Sequence, residues 1–259
     1  MCYDDQARPP IPPGPAGNAH GEQIVLTAAD GNRFYAYLAL PEARAQKAAV
    51  IYPDIRGLHQ FYRELALRFA ESGIAAIALD YFGRTAGLTS REDDFDFKPH
   101  VQALRLPTFT QDVQAALDTL RQRVEPGADV FVIGFCMGGS LALLTGANRA
   151  LGFAGLIPFY SGFTRDFGGS GTALDNAAQI AYPVVGFYGG ADQGIPVESV
   201  RALDQKLDEA GVPHRLTIYP GAPHSFFDRR ATEYADASAD AWRQLLGFIR
   251  TGQVEDSRR

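Results

Sequence analysis

From residue 23 onward, short apolar runs alternate with longer stretches in which apolar residues recur at helical spacing. Residues 23–27 and 33–40 read as two strands joined around Asp30-Gly31-Asn32, a turn whose residues accept positive φ. That pair forms an antiparallel edge. Further strands are expected over 48–52, 74–79, 129–133, 155–159, 184–188 and 215–219, and helices near 62–71, 110–123, 197–210 and 232–249, with another opening just after residue 136. Strands separated by crossover helices must run parallel, and continuous apolar runs such as Val184-Val185-Gly186-Phe187 suit a sheet covered on both faces. The pattern predicts an α/β fold: a mostly parallel central sheet, helices on both faces and an antiparallel N-terminal edge.

Two segments break the alternation. Residues 83–107 contain Arg91-Glu92-Asp93-Asp94-Phe95-Asp96, and residues 162–182 contain Gly168-Gly169-Ser170-Gly171; stretches this long are lids, binding segments or disorder. The acidic run reads as a solvated loop, because no histidine or carboxylate spacing there fits a metal cage. The ends stand apart from the core. Residues 1–20 carry Arg8-Pro9-Pro10-Ile11-Pro12-Pro13-Gly14-Pro15, an extended polyproline-like leader. The domain proper is expected over 21–250, with a polar tail at 251–259, and no internal repeat is present.

With 259 residues, 46% of them hydrophobic and 21% charged, the chain can bury one large core. A formal charge of -6 argues against nucleic-acid or membrane-surface partners, which would need a basic face. Small-molecule partners remain. No apolar stretch approaches the roughly 20 residues of a membrane span and residues 1–16 lack an apolar signal core, so a cytoplasmic location is expected. The two cysteines, Cys2 and Cys136, make no disulfide framework, and Cys136 is expected as an unbridged thiol.

Chemistry concentrates after the 129–133 strand, in Gly134-Phe135-Cys136-Met137-Gly138-Gly139. A cysteine at a strand-to-helix turn, flanked by glycines that let backbones approach, is the pattern of a nucleophile elbow with sulfur in place of oxygen. Two readings compete here, since a small cysteine between glycines also packs well. Asp192, in Gly189-Gly190-Ala191-Asp192, follows the 184–188 strand, and His224, in Pro223-His224-Ser225-Phe226, follows the 215–219 strand. Alone, Asp192 could cap the next helix and His224 could satisfy a turn. Together they supply acid and base in the order Cys, Asp, His at the carboxyl edge of one sheet, as a covalent acyl-transfer triad requires.

These three segments resemble the dienelactone hydrolase family (carboxymethylenebutenolidase-like) of the α/β-hydrolase superfamily, over about residues 23–249. The resemblance implies the α/β-hydrolase fold and a carboxylic ester hydrolase with Cys136 as nucleophile, His224 as base and Asp192 as its orienting acid. In characterised members the substrate is a cyclic enol ester carrying a carboxylate, opened to maleylacetate in chloroaromatic breakdown. The loop Pro53-Asp54-Ile55-Arg56-Gly57-Leu58 stands where the family has a thiol-activating glutamate. Here Asp54 keeps the carboxylate one methylene shorter, and a turn or cap role is the alternative. Ile55 and Met137 are the implied amide donors of the oxyanion hole.

Arg56, Arg84, Arg105 and Arg229 are candidates to hold a substrate carboxylate, with surface solvation as the alternative for each. The residue four beyond the histidine is Asp228, so no arginine maps cleanly onto the family's pattern. Tyr81, Phe82, Phe159, Tyr160 and Phe226 could line an apolar pocket or simply pack. His59 and His100 read as polar loop residues, and Trp242 as packing alone. The mechanism requires no metal or organic cofactor, and the expected partner is a small ester or lactone, with oligomeric state open. A broader carboxylesterase or thioesterase, or a silent small-ligand-binding protein of the same fold, are the competing functions.

Overall fold

The computed structural model describes residues 6–92 and 94–255. Cys2, Asp93 and the last residues of the polar tail lie outside them. The strands are β1 (Ala19–Thr27), β2 (Arg33–Pro41), β3 (Lys47–Tyr52), β4 (Ala75–Leu79), β5 (Asp129–Phe135), β6 (Gly155–Phe159), β7 (Val184–Gly189) and β8 (His214–Tyr219). They form one sheet in the order β1-β2-β4-β3-β5-β6-β7-β8. The β1 and β2 strands pair antiparallel, β2 pairs antiparallel with β4, and every pairing from β4 to β8 is parallel. Central strands are buried along their whole length: Val50 lies between Ile77 and Val132, and all three are inaccessible to solvent. Continuous apolar runs therefore read correctly as strands covered on both faces.

The larger helices are α1 (Gln60–Glu71), α4 (Leu106–Arg123), α5 (Met137–Thr145), α6 (Val197–Glu209) and α7 (Ala235–Thr251). Two short ones, α2 (Gly83–Ala86) and α3 (Lys98–Ala103), lie inside the segment expected to be irregular. The α4 helix starts four residues earlier than the apolar spacing suggests. Pro107 sits in its first turn, where a missing N–H leaves no broken bond, so proline there opens the helix instead of preceding it. Among the described residues, no helix is long and apolar enough to cross a membrane.

The start of the acidic run is not solvated as expected. Arg91 is 2% exposed and sits against Asp80, 1% exposed, with Nη2 at 2.8 Å from Oδ2 and Nε at 3.2 Å from Oδ1. Its Nη1 donates to the Thr89 and Ser90 carbonyls and its Nη2 to that of Gly87, and the guanidinium lies 4.6 Å from the Phe95 ring centroid. Burial holds the Asp80 carboxyl above its ordinary value, with the Arg91 charge offsetting part of that shift. This pair pins the 83–107 segment to the end of β4. Arg91→Ala should cost about 3–5 kcal/mol, because it strands a buried carboxylate; in urea unfolding, a loss below about 1 kcal/mol would show the pair to be solvent-screened.

The leader lies on the body. Pro9 and Pro12 are buried, Arg8 Nε approaches Glu64 Oε1 at 3.3 Å, and the Trp242 indole N–H donates to the Pro10 carbonyl at 3.0 Å. Trp242 thus does more than pack: beside its contacts with Phe69 and Phe227 it gives the polyproline segment, whose residues offer few donors, a partner for one of its carbonyls.

Candidate active site

Because β3 and β5 to β8 are parallel, the loops following them emerge at one edge of the sheet. Three non-glycine residues with positive φ sit at that edge: Cys136 at 52° after β5, Tyr160 at 34° after β6, and Ser225 at 61° in the loop after β8. Among the described residues these are the only ones. Such backbone costs on the order of 1–3 kcal/mol per residue and persists only where the surroundings enforce it.

At Cys136 the enforcement is visible. Its N–H donates to the Phe159 carbonyl at 3.0 Å, and α5 begins at the next residue. A Cβ on Gly138 would come within 2.2 Å of the Tyr52 and Pro53 carbonyl oxygens, and one on Gly134 within 2.2 Å of the Gly138 carbonyl. Only glycine lets β5 and α5 approach β3 this closely. Cys136 itself is partly exposed and forms no disulfide.

Asp192 and His224 meet. Asp192 Oδ1 accepts from the Gly194 and Ile195 amides at 2.8 and 3.1 Å, while Oδ2 lies 2.6 Å from His224 Nδ1. The carboxylate is 1% exposed and the imidazole 28%. Asp192 therefore shapes its own turn and orients the ring at once. Since the carboxylate accepts, Nδ1 carries the hydrogen, and in the neutral ring the lone pair is then on Nε2. The Tyr160 ring centroid lies 4.9 Å from that of His224, and the Tyr160 hydroxyl donates to Asp228 Oδ2 at 2.6 Å. Burial, then the charges of Asp228, Asp54 and Cys136, push the Tyr160 hydroxyl well above its ordinary value, so it remains a donor.

On the β3 side, the Tyr81 hydroxyl holds the Pro53 and Asp54 carbonyls. Asp54 is fully buried; its Oδ1 accepts from the Arg56 amide at 2.9 Å and faces His59 Nε2 at 3.5 Å. Its Oδ2, like the hydroxyl of Tyr62, is buried with no hydrogen-bond partner among the described residues. His59 is not the surface residue expected, being wholly inaccessible with its ring 4.8 Å from that of Tyr62. Tyr62 is absent from the residues singled out in the sequence, and His59 reads there only as a polar loop residue. The one local signal is the position of His59, at the start of α1 directly after the Asp54 loop.

Most arginine candidates are engaged elsewhere. Arg84 pairs with Asp30 at 2.5 Å and Asp112 at 2.8 Å and donates to the Thr108 carbonyl, which ties the N-terminal hairpin to α4 instead of reaching a substrate. Arg105 donates to the Gln102 and Leu104 carbonyls at the end of α3. Arg56 is buried. Phe82 and Phe226 are fully buried within aromatic clusters and belong to the core. Arg229 is exposed and lines an open cleft of about 620 Å³ shared with Asp192, Gln193, His224, Arg230 and Tyr234. The cleft borders His224 and Asp192, while Cys136 is not among its walls.

Comparison with known proteins agrees with this architecture. The chain is 28% identical over 230 residues to a Bradyrhizobium protein named as a 2-oxo-3-(5-oxofuran-2-ylidene)propanoate lactonase, covering 85% of this chain and 90% of that one. It is 30% identical over 229 residues to a Synechocystis protein named as a carboxymethylenebutenolidase, covering 83% and 90%. Among solved structures, one described as a dienelactone hydrolase from Klebsiella pneumoniae shares the fold with a TM-score of 0.80 at 22% identity, covering 91% of this chain and all of that one. A dienelactone hydrolase-like promiscuous phosphotriesterase from metagenomic libraries shares it at 0.72 and 23%, covering 90% and 98%. The family model for dienelactone hydrolases matches residues 34–252. The chain belongs to the dienelactone hydrolase family, carboxylic ester hydrolases built on the α/β-hydrolase fold.

Proposed function

We propose that the protein hydrolyses small esters or lactones of the dienelactone type through a thioester on Cys136. The reading rests on the 2.6 Å pairing of His224 Nδ1 with Asp192, at the same sheet edge as a strained, partly exposed cysteine. Asp192 holds the tautomer in which Nε2 takes the thiol proton. The thiolate adds to the ester carbonyl, the oxyanion forms against the Ile55 and Met137 amides, and collapse expels the alcohol with the proton returned by His224. For a lactone, that alcohol stays tethered to the acyl group. Water, deprotonated at His224, then cleaves the thioester and regenerates the thiol.

The N-terminal end of α5 adds positive potential at Cys136, which favours both thiolate and oxyanion. Asp54 is the thiol-activating candidate, with Tyr81 positioning its loop through the carbonyls on either side. Lactones are favoured because the relatives carry lactonase and carboxymethylenebutenolidase names. No metal or organic cofactor takes part in these steps. An unbridged nucleophilic thiol suits the reducing cytoplasm, where we place the protein.

Arg229 is the candidate for a substrate carboxylate, since it shares a cleft with His224. Arg229→Ala should raise KM about tenfold or more for a carboxylate-bearing enol lactone, with kcat little changed, and should leave neutral aryl esters unaffected. The alternative of a broader esterase or thioesterase draws on Asp228, an acid bound to Tyr160 at the position where an arginine would be expected. A panel of enol lactones, aryl esters and thioesters separates the two. Uniform preference for neutral substrates would remove the dienelactone assignment and keep the hydrolase.

A further inference from the structure

At the end of β8 opposite the His224 loop, three metal-ligating groups converge. Asp204 and Asp208 stand one turn apart on α6, and His214 opens β8. His214 Nε2 lies 3.1 Å from Asp204 Oδ1 and 4.0 Å from Asp208 Oδ1, and one ligand atom from each residue falls within 4.8 Å of the others. The His214 side chain is 6% exposed, whereas those of Asp204 and Asp208 are 52% and 56% exposed. One ligand is rigid and two are adjustable and open to solvent.

The second ring nitrogen decides what this cluster presents. His214 Nδ1 lies 2.8 Å from the Val212 carbonyl oxygen, which only accepts, so Nδ1 must carry a hydrogen. In the neutral ring, Nε2 then turns a lone pair toward two carboxylates. Acceptors that converge on one point are held together by a cation between them, a proton or a metal ion, and two carboxylates at i, i+4 on a helix add to the demand for one. An imidazole whose other N–H is held by a backbone carbonyl is the usual arrangement of a metal-ligating histidine.

We propose that Asp204, Asp208 and His214 form a binding site for a divalent transition metal of the zinc type, stapling α6 to the edge strand β8. A tetrahedral ion with bonds of about 2.1 Å places its ligand atoms roughly 3.4 Å apart, between the two distances found here, with water in the remaining position. An imidazole beside two carboxylates selects such ions over calcium or magnesium, which take oxygen alone. The site lies at the amino end of β8, roughly 20 Å of strand away from the His224 loop. It is therefore independent of ester hydrolysis.

The test uses the full chain, stripped by chelator and alkylated at its thiols so that Cys2 and Cys136 bind no metal, titrated with Zn²⁺ by calorimetry. One equivalent should bind the natural protein, and affinity should fall at least 100-fold in the double variant Asp204→Asn, Asp208→Asn. Those positions are exposed and the replacements nearly isosteric, so folding is not at risk. Zinc at about 100 times its Kd should raise the unfolding midpoint of the natural protein by on the order of 5 °C and leave the variant unmoved. Ester hydrolysis by the unalkylated, metal-free proteins should be equal. Equal zinc affinity in both proteins, or no binding below millimolar zinc, would overturn the proposal and leave His214 paired with Asp204 alone.

Discussion

Cys136→Ala should lower ester turnover by on the order of 10⁴-fold or more while leaving the circular dichroism and unfolding midpoint of the protein unchanged. The thiol is the atom on which the acyl group would reside, and no neighbouring group can replace it. Unlike buried core positions, Cys136 reaches solvent, so trimming one sulfur opens no closed cavity. A mild alkylating agent supplies the complementary measurement. Peptide mapping should find modification at Cys136, in step with loss of activity and slowed by a competing ester. Label at Cys2 should accumulate without effect. A fully active alanine variant, or inactivation without modification at Cys136, would remove the thioester mechanism and leave only the family assignment.

Asp192→Asn comes next in size, with a fall in kcat on the order of 10³–10⁴-fold. The argument is one of tautomers. Asp192 Oδ1 is held by the Gly194 and Ile195 amides, so the side-chain amide of an asparagine would keep its oxygen there and turn its NH₂ toward His224. Nδ1 must then accept, Nε2 carries the hydrogen, and the imidazole no longer takes a proton from sulfur. Nitrogen chemical shifts of His224 should report the switch from Nδ1–H to Nε2–H, which a merely structural role would not produce. His224→Ala should lose most turnover with the fold retained. Should it instead unfold the protein while activity per folded molecule is unchanged, the histidine is structural.

The elements legible in the chain are those written in local pattern. Val184-Val185-Gly186-Phe187 can be little else than a buried strand, and it became β7. The Asp30-Gly31-Asn32 turn joins β1 to β2. The turn after β5 was legible because its geometry needs glycines at set offsets from Cys136, and a Cβ at Gly134 or Gly138 would meet backbone at 2.2 Å. Boundaries were less so, since Pro107 resembles a barrier and serves as a first-turn residue of α4.

What escaped the sequence depends on partners far away in the chain. Arg91 opens a run of acids and looks solvated, yet Asp80, eleven residues earlier, draws it into the interior. Arg84 was a plausible substrate ligand until folding set Asp30 and Asp112 beside it. Asp204, Asp208 and His214 become one cluster only where α6 turns into β8.

By itself, then, the sequence determined the alternation of strands and helices, the elbow at Cys136 and the order Cys, Asp, His, because periodicity, glycine placement and turn chemistry act over a few residues. Tertiary structure alone decided that His224 lies 2.6 Å from Asp192, which arginines are held in ion pairs, and which polar groups are buried. Charges find their partners by distance in space, and that distance exists only once the sheet has brought remote segments to the same edge.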